Sequence, residues 1–163
     1  MGLTAQAAWW FLPAVIPIAI YVSWSDMSAM KITNKAVIAL IIAYAILGLF
    51  AFPFQTYLWQ WTHLAVMLVV GIMLNAGGVM GAGDAKFIAA ASPMIMIADL
   101  RLIIVLLAAA LIGAYVTHRL AMHSALRRMV PEWESWKTGK RFPMGFPLSM
   151  TLLFYLLIVA TYR

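Results

Sequence analysis

Five carboxylates make up the chain's whole supply of acids: Asp26, Asp84, Asp99, Glu132 and Glu134. Glu132 and Glu134 stand among basic residues and read as solvated. Asp99 stands close to Arg101, where turn geometry or an ion pair accounts for it. Asp26, in Ser23-Trp24-Ser25-Asp26, and Asp84, in Gly81-Ala82-Gly83-Asp84, instead border long apolar runs. An ionisable group beside hydrocarbon is expensive and is by default a functional candidate. Two carboxylates at one depth can share a proton. One then acts as base towards a water while the other acts as acid towards a carbonyl oxygen. Peptide hydrolysis by an aspartyl pair needs that arrangement. Either Asp taken singly also fits an ordinary helix cap in the headgroup region, and spacing alone leaves both readings open.

Gly77, Gly78, Gly81 and Gly83 crowd the approach to Asp84. Such a stretch permits positive φ and close approach of another backbone, although Gly77 and Gly81 also fit a plain small-xxx-small helix contact. Other chemistries find little support. The chain has no cysteine, which removes disulfides, thiolate metal sites and cysteine nucleophiles together. His118 and His123 do not share a helix face, and no acid completes a metal triad with them or with His63. No serine has a His/Asp partner at its depth. Neither a metal nor a cofactor is expected.

The elements that must position these residues are set by composition. Of 163 residues, 66% are hydrophobic and 10% charged, against about a quarter charged in a soluble domain. The length suits a single domain over 1–163, and the pattern predicts an all-α polytopic membrane protein. A crossing needs roughly 20 mostly apolar residues. Six transmembrane helices are expected at about 7–24, 36–54, 58–79, 85–98, 100–118 and 144–162, the fourth short and interrupted by Pro93. The net charge of +6 belongs with anionic lipid heads, not nucleic acid.

With the N-terminus outside, Lys31, Lys35, Lys86, Arg119, Arg127, Arg128, Lys137, Lys140 and Arg141 fall on the cytoplasmic side, and only Arg101 and Arg163 fall opposite. Dropping the fourth crossing would largely erase that bias, so six spans fit best. No basic residue precedes the first apolar run and no convincing cleavage site follows it, so it reads as a retained helix rather than a signal peptide. Phe52, Phe54, Tyr57, Trp59 and Trp61 suit an outer loop at headgroup level. In the cytoplasmic loop 119–143, Met122, Leu126, Met129, Trp133 and Trp136 recur on one helical face, broken near Pro131. That predicts an amphipathic segment in the interface, with a substrate-docking surface as the alternative.

Three segments together resemble one family. Gly81-Ala82-Gly83-Asp84-Ala85-Lys86 resembles the GxGD-x-K signature of the type IV prepilin peptidases, which are intramembrane aspartyl proteases. Asp26 to Asn34, with Lys31, Ile32 and Asn34, is similar to that family's first catalytic stretch, an Asp followed by a basic residue and Ile-Pro-Asn, with Thr33 in place of the proline. Phe142-Pro143-Met144-Gly145 resembles the Pro-x-Gly segment before the last helix. The matches fall in order across nearly the whole chain.

The resemblance implies Asp26 and Asp84 as the catalytic pair, supported by Gly81, Gly83, Lys86, Lys31, Asn34, Pro143 and Gly145. It also implies a prepilin substrate, recognised through its leader and N-terminal apolar helix, and a place in the bacterial cytoplasmic membrane with the site facing the cytoplasm. Full-length members carry a zinc-binding cysteine insert, and some methylate the new N-terminus. Without cysteines, this chain resembles the compact subgroup serving Flp (tight-adherence) pili, and methyltransferase activity is not predicted. Lys86 fits either snorkelling to lipid or tuning of the pair and contact with an acidic substrate residue. The competing classes are a small ion-coupled transporter using the two Asp residues as a proton relay, for which no inverted repeat is found, and a non-catalytic pilus-assembly subunit. The charge bias makes a direct prediction: a phosphatase fusion at Gln55 is active and one at Thr138 silent. The reverse pair of results would put both aspartates outside.

Overall fold

A computed structural model describes residues 2–138 and 142–163, and among them the secondary structure is entirely helical. Helix α1 (Ala5–Ala29) starts at Thr4, whose hydroxyl accepts the Ala7 N–H at 3.2 Å, and stops at Met30 in the left-handed region, φ 51°. An extended link leads to α2 (Asn34–Ala51), capped by the Thr33 hydroxyl on the Ala36 N–H. The threonine thus supplies a cap where the resemblance leads one to expect a proline.

Helix α2 ends just before Pro53, which disfavours helix in the residue preceding it, and α3 (Phe54–Ala76) begins at once. The expected outer loop is therefore only two residues. Tyr57, Trp59 and Trp61 lie on the first turns of α3, and Tyr57 and Trp61 pack on Tyr44 of α2. Helix α3 gives way at Gly77 and Gly78, the latter at φ 71°. Both Gly77 and Gly81 thus flank helices and make no small-residue helix contact.

Among the described residues, five helical stretches are long and apolar enough to cross a membrane: Ala5–Ala29, Asn34–Ala51, Phe54–Ala76, Ile97–Met122 and Gly145–Tyr162. The last two contain α5 (Leu100–Met122) and α7 (Gly145–Tyr162). Between α3 and α5 stands α4 (Ala82–Ala91), followed by 3-10 turns at Ser92–Met94 and Ile97–Asp99. At about 1.5 Å per residue, ten residues make half a crossing. Yet the segment joins the two ends of the bundle. Asp84 faces the end of α1 and the start of α7, whereas Asp99 accepts the Leu3 N–H and bonds to Tyr155 and Arg163 at the far end.

A broken helix in an apolar surrounding leaves carbonyls without partners, which is tolerated only when protein groups satisfy them. Gln60 of α3, 1% exposed, does this: its Nε2 donates to the carbonyls of Pro93 at 3.0 Å and Ile95 at 3.1 Å.

The core lies between α1, α2 and α7, where Phe11, Leu12, Val15, Leu40, Tyr44, Leu152, Tyr155 and Leu156 are buried. Helices α3 and α5 are peripheral, and α5 buries only Ala114 and His118. Their outward apolar side chains suit lipid. This is a multi-pass membrane protein.

The segment after α5 does not form one amphipathic helix. Short α6 (Leu126–Met129) leads into turns. Trp133 packs edge-on to Trp24 and Trp136 stacks on His118 at 4.9 Å, while Met129 faces outward. Tertiary packing has taken the tryptophans out of the expected face. Lys140 and Arg141 lie outside the described residues, as does the side chain of Leu126.

For Asp99 the sequence suggests turn geometry or an ion pair with nearby Arg101. Its partner is Arg163, at 2.7 Å, rather than Arg101, and its Oδ2 also accepts from Leu3 N and Tyr155 Oη at 2.8 Å each. This carboxylate ties the start of α1 to the end of α7. Asp99→Ala strands a buried N–H and hydroxyl, a loss on the order of 1–3 kcal/mol for each. It is expected to melt measurably below the wild type in detergent, and an unchanged melting temperature would deny the clasp its role.

Candidate active site

Asp26 occupies the last turn of α1 and is 5% exposed. A carboxylate is unwelcome at a helix C-terminus, where the dipole is already negative. Its compensation comes from a different helix. Its Oδ2 accepts the backbone N–H of Gly145, the first residue of α7, at 2.6 Å, and the Phe146 amide also contributes. An anion against a helix N-terminus with a charge-assisted bond is a favourable pairing. Asp26 is therefore not a cap of its own helix. It is the joint between α1 and α7, reinforced one turn away by Ser23 Oγ and Ser149 Oγ at 2.9 Å.

Only glycine fits at 145. A Cβ there would lie 3.0 Å from both Cβ and Cγ of Asp26 and 2.8 Å from Cγ1 of Ile32. Pro143, buried just before α7, fixes the approach of the chain through its restricted φ.

Asp84 sits in the first turn of α4, three residues after the N-cap Gly81. Its side chain reaches back to the Gly81 backbone N–H, the acidic half of a capping box. The capping role weighed from sequence thus applies to Asp84, which also lines the cavity. A Cβ at Gly81 would lie 2.8 Å from Asp84 Oδ2, so a side chain there would crowd the acid.

Both acids line one cavity of about 810 Å³. The walls include Lys31, Ile32, Asn34, Lys86, Phe142, Met144 and the backbone from Gly78 to Gly83. Lys86 Nζ donates to Asn34 Oδ1 at 3.3 Å, tying the first turn of α4 to that of α2. Of the residues singled out from sequence, the cavity gathers Asp26, Lys31, Asn34, Gly81, Gly83, Asp84 and Lys86, with Gly145 directly behind Asp26. Glu132 and Glu134 lie elsewhere, Glu134 in an exposed pair with Lys137.

His118 is buried between Trp136 and Phe142. Among the described residues no group of three His, Asp or Glu side chains could hold a metal. Two features of the wall have no role in the sequence reading: Ile32, which enters there only as a letter of the matched stretch, and Met30, whose left-handed φ turns the chain out of α1.

Fold and site together define a multi-pass helical membrane protein with a carboxylate pair in a cavity at one end of the bundle. The type IV leader peptidase family matches residues 14–118, well over half of the chain, which includes Asp26 and Asp84, and the chain belongs to that family. No curated protein and no solved structure matches it.

The packing at position 145 yields a test. Gly145→Ala forces the start of α7 away from Asp26. An overpacked site costs about 1–3 kcal/mol, and a displacement near 1 Å can lower a rate about 100-fold. The variant is expected in the membrane at near-normal abundance, with leader cleavage in a processing assay reduced at least tenfold. Wild-type cleavage would mean that the contact is slack.

Proposed function

We propose that this leader-peptidase-like protease is an intramembrane aspartyl endopeptidase that removes the leader of type IV prepilins of the Flp (tight-adherence) kind at the cytoplasmic face of the bacterial inner membrane. The observation that carries the reading is the presence of Asp26 and Asp84, far apart in sequence, in the wall of one cavity. Two carboxylates in one cavity can share a proton, and the mechanism uses one member ionised and the other protonated. The ionised member takes a proton from a water as it attacks the scissile carbonyl. The protonated member donates to the carbonyl oxygen. The Gly145 amide holds one oxygen of Asp26 in place and leaves the other for the water.

Lys31 and Lys86 stand on the same wall and suit an acidic substrate residue near the cut. Their position at the cavity end of the bundle, with Arg101 and Arg163 towards the opposite end, agrees with a cytoplasmic site under the positive-inside rule. On this reading the chain crosses six times, the stretch from Asp84 to Asp99 making the fourth passage. The prepilin enters as an apolar helix that must be extended at the cut, and the open, glycine-rich turn before α4 leaves room beside Asp84.

Asp26→Asn and Asp84→Asn keep shape but cannot exchange the proton. Each is expected to remove nearly all cleavage of co-expressed prepilin, read as a gel shift, with the double variant scarcely worse because the two act as a unit. Glu134→Gln, in the exposed pair, cleaves normally. Processing near the wild-type rate by either Asn variant would end the aspartyl-protease reading.

A further inference from the structure

Three elements meet at the cavity: the end of α1 carrying Asp26, the start of α7 holding it, and the first turn of α4 carrying Asp84. The side chain of Ile32 lies close to both of the last two. Ile32, in the extended link after α1, is 6% exposed and lines the cavity. Its Cβ lies 3.3 Å from where a Cβ on Gly83 would be, and its Cγ1 lies 2.8 Å from where one on Gly145 would be. Both glycines thus have their bare backbones against one isoleucine, Gly83 against its Cβ and backbone and Gly145 against its Cγ1. Gly83 precedes Asp84 in the chain, and Gly145 donates the amide that holds Asp26.

We infer that Ile32 is a positioning residue, a spacer that sets the separation of Asp26 and Asp84. The inference rests on the aspartyl-protease reading above. Interiors are packed closely enough that a lost carbon is felt by its neighbours. The atoms divide the work. Cβ meets the α4 side through Gly83, and Cγ1 meets the α7 side through Gly145. Any filler would do for core packing alone. A spacer needs those two atoms, and valine keeps both while alanine keeps only the first.

Ile32→Ala, Ile32→Val and Gly83→Ala are purified in detergent and assayed on a synthetic peptide spanning a type IV prepilin leader and the first apolar residues after it. Val37→Ala, which truncates another buried residue of the same cluster, is the matched control. Ile32→Ala is expected to lower kcat about 10- to 100-fold with KM within about twofold. Ile32→Val restores kcat to within about threefold of wild type, and Val37→Ala leaves it unchanged. Gly83→Ala, which presses on the spacer from the α4 side, lowers kcat in the same way and serves if Ile32→Ala does not fold.

Wild-type kcat in Ile32→Ala or Gly83→Ala, a loss carried by KM, or an equal loss in Val37→Ala would overturn the assignment. Asp26→Asn and Asp84→Asn are run alongside. Cleavage by either removes the protease reading itself, whereas inert Asn variants beside an unimpaired Ile32→Ala remove only the spacer.

Discussion

The bond from the Gly145 amide to the Asp26 carboxylate is the constraint on which the rest of the cavity depends. It places an acid from the end of one helix against the positive beginning of another, at 2.6 Å, where the acid's own helix would repel it. The approach is possible only because position 145 has no side chain. Without it α1 and α7 could still bury their apolar faces, but their relative height would be set by side-chain fit alone. With it, the cavity end of the bundle has a fixed point, and α4 is brought to that point by Ile32 and by the Lys86–Asn34 contact.

Much of this was legible in the sequence, for reasons that can be named. Acids are so rare in the chain that Asp26 and Asp84 stand out, and the glycines before Asp84 mark a backbone that must turn or be approached. The long apolar runs gave the helices to within a few residues, because hydrocarbon thickness leaves few choices. Asp99 was misjudged because Arg101 is near in sequence while Arg163 is near in space. Periodicity put Trp133 and Trp136 on one lipid-facing helix, yet aromatic contacts with Trp24 and His118 draw them onto the bundle. Ile32, between Lys31 and Thr33, belongs to a matched stretch, but its role there stays hidden until the two glycines against it are seen.

Gln60 shows the same limit from the other side. A buried amide in a largely apolar helix has a purpose that depends on the break at Pro93, more than thirty residues away. The two departures from regular pattern answer each other. Breaking the fourth segment frees carbonyls, and a side chain from the neighbouring helix takes them up. Each would be a defect alone.

Carboxylates hold α7 at two places, Asp26 at its first residue and Asp99 through Tyr155, about two turns before its end, and through Arg163 just past it. That makes the helix a ruler as well as a wall. One residue inserted or deleted between the two fastenings would change its length by about 1.5 Å and turn everything beyond by about 100°, so the two ends could not both stay engaged. Side chains along its lipid-facing side can be exchanged for others of like character, but the number of residues between Gly145 and Arg163 is fixed by geometry. In this part of the chain, counting matters more than spelling.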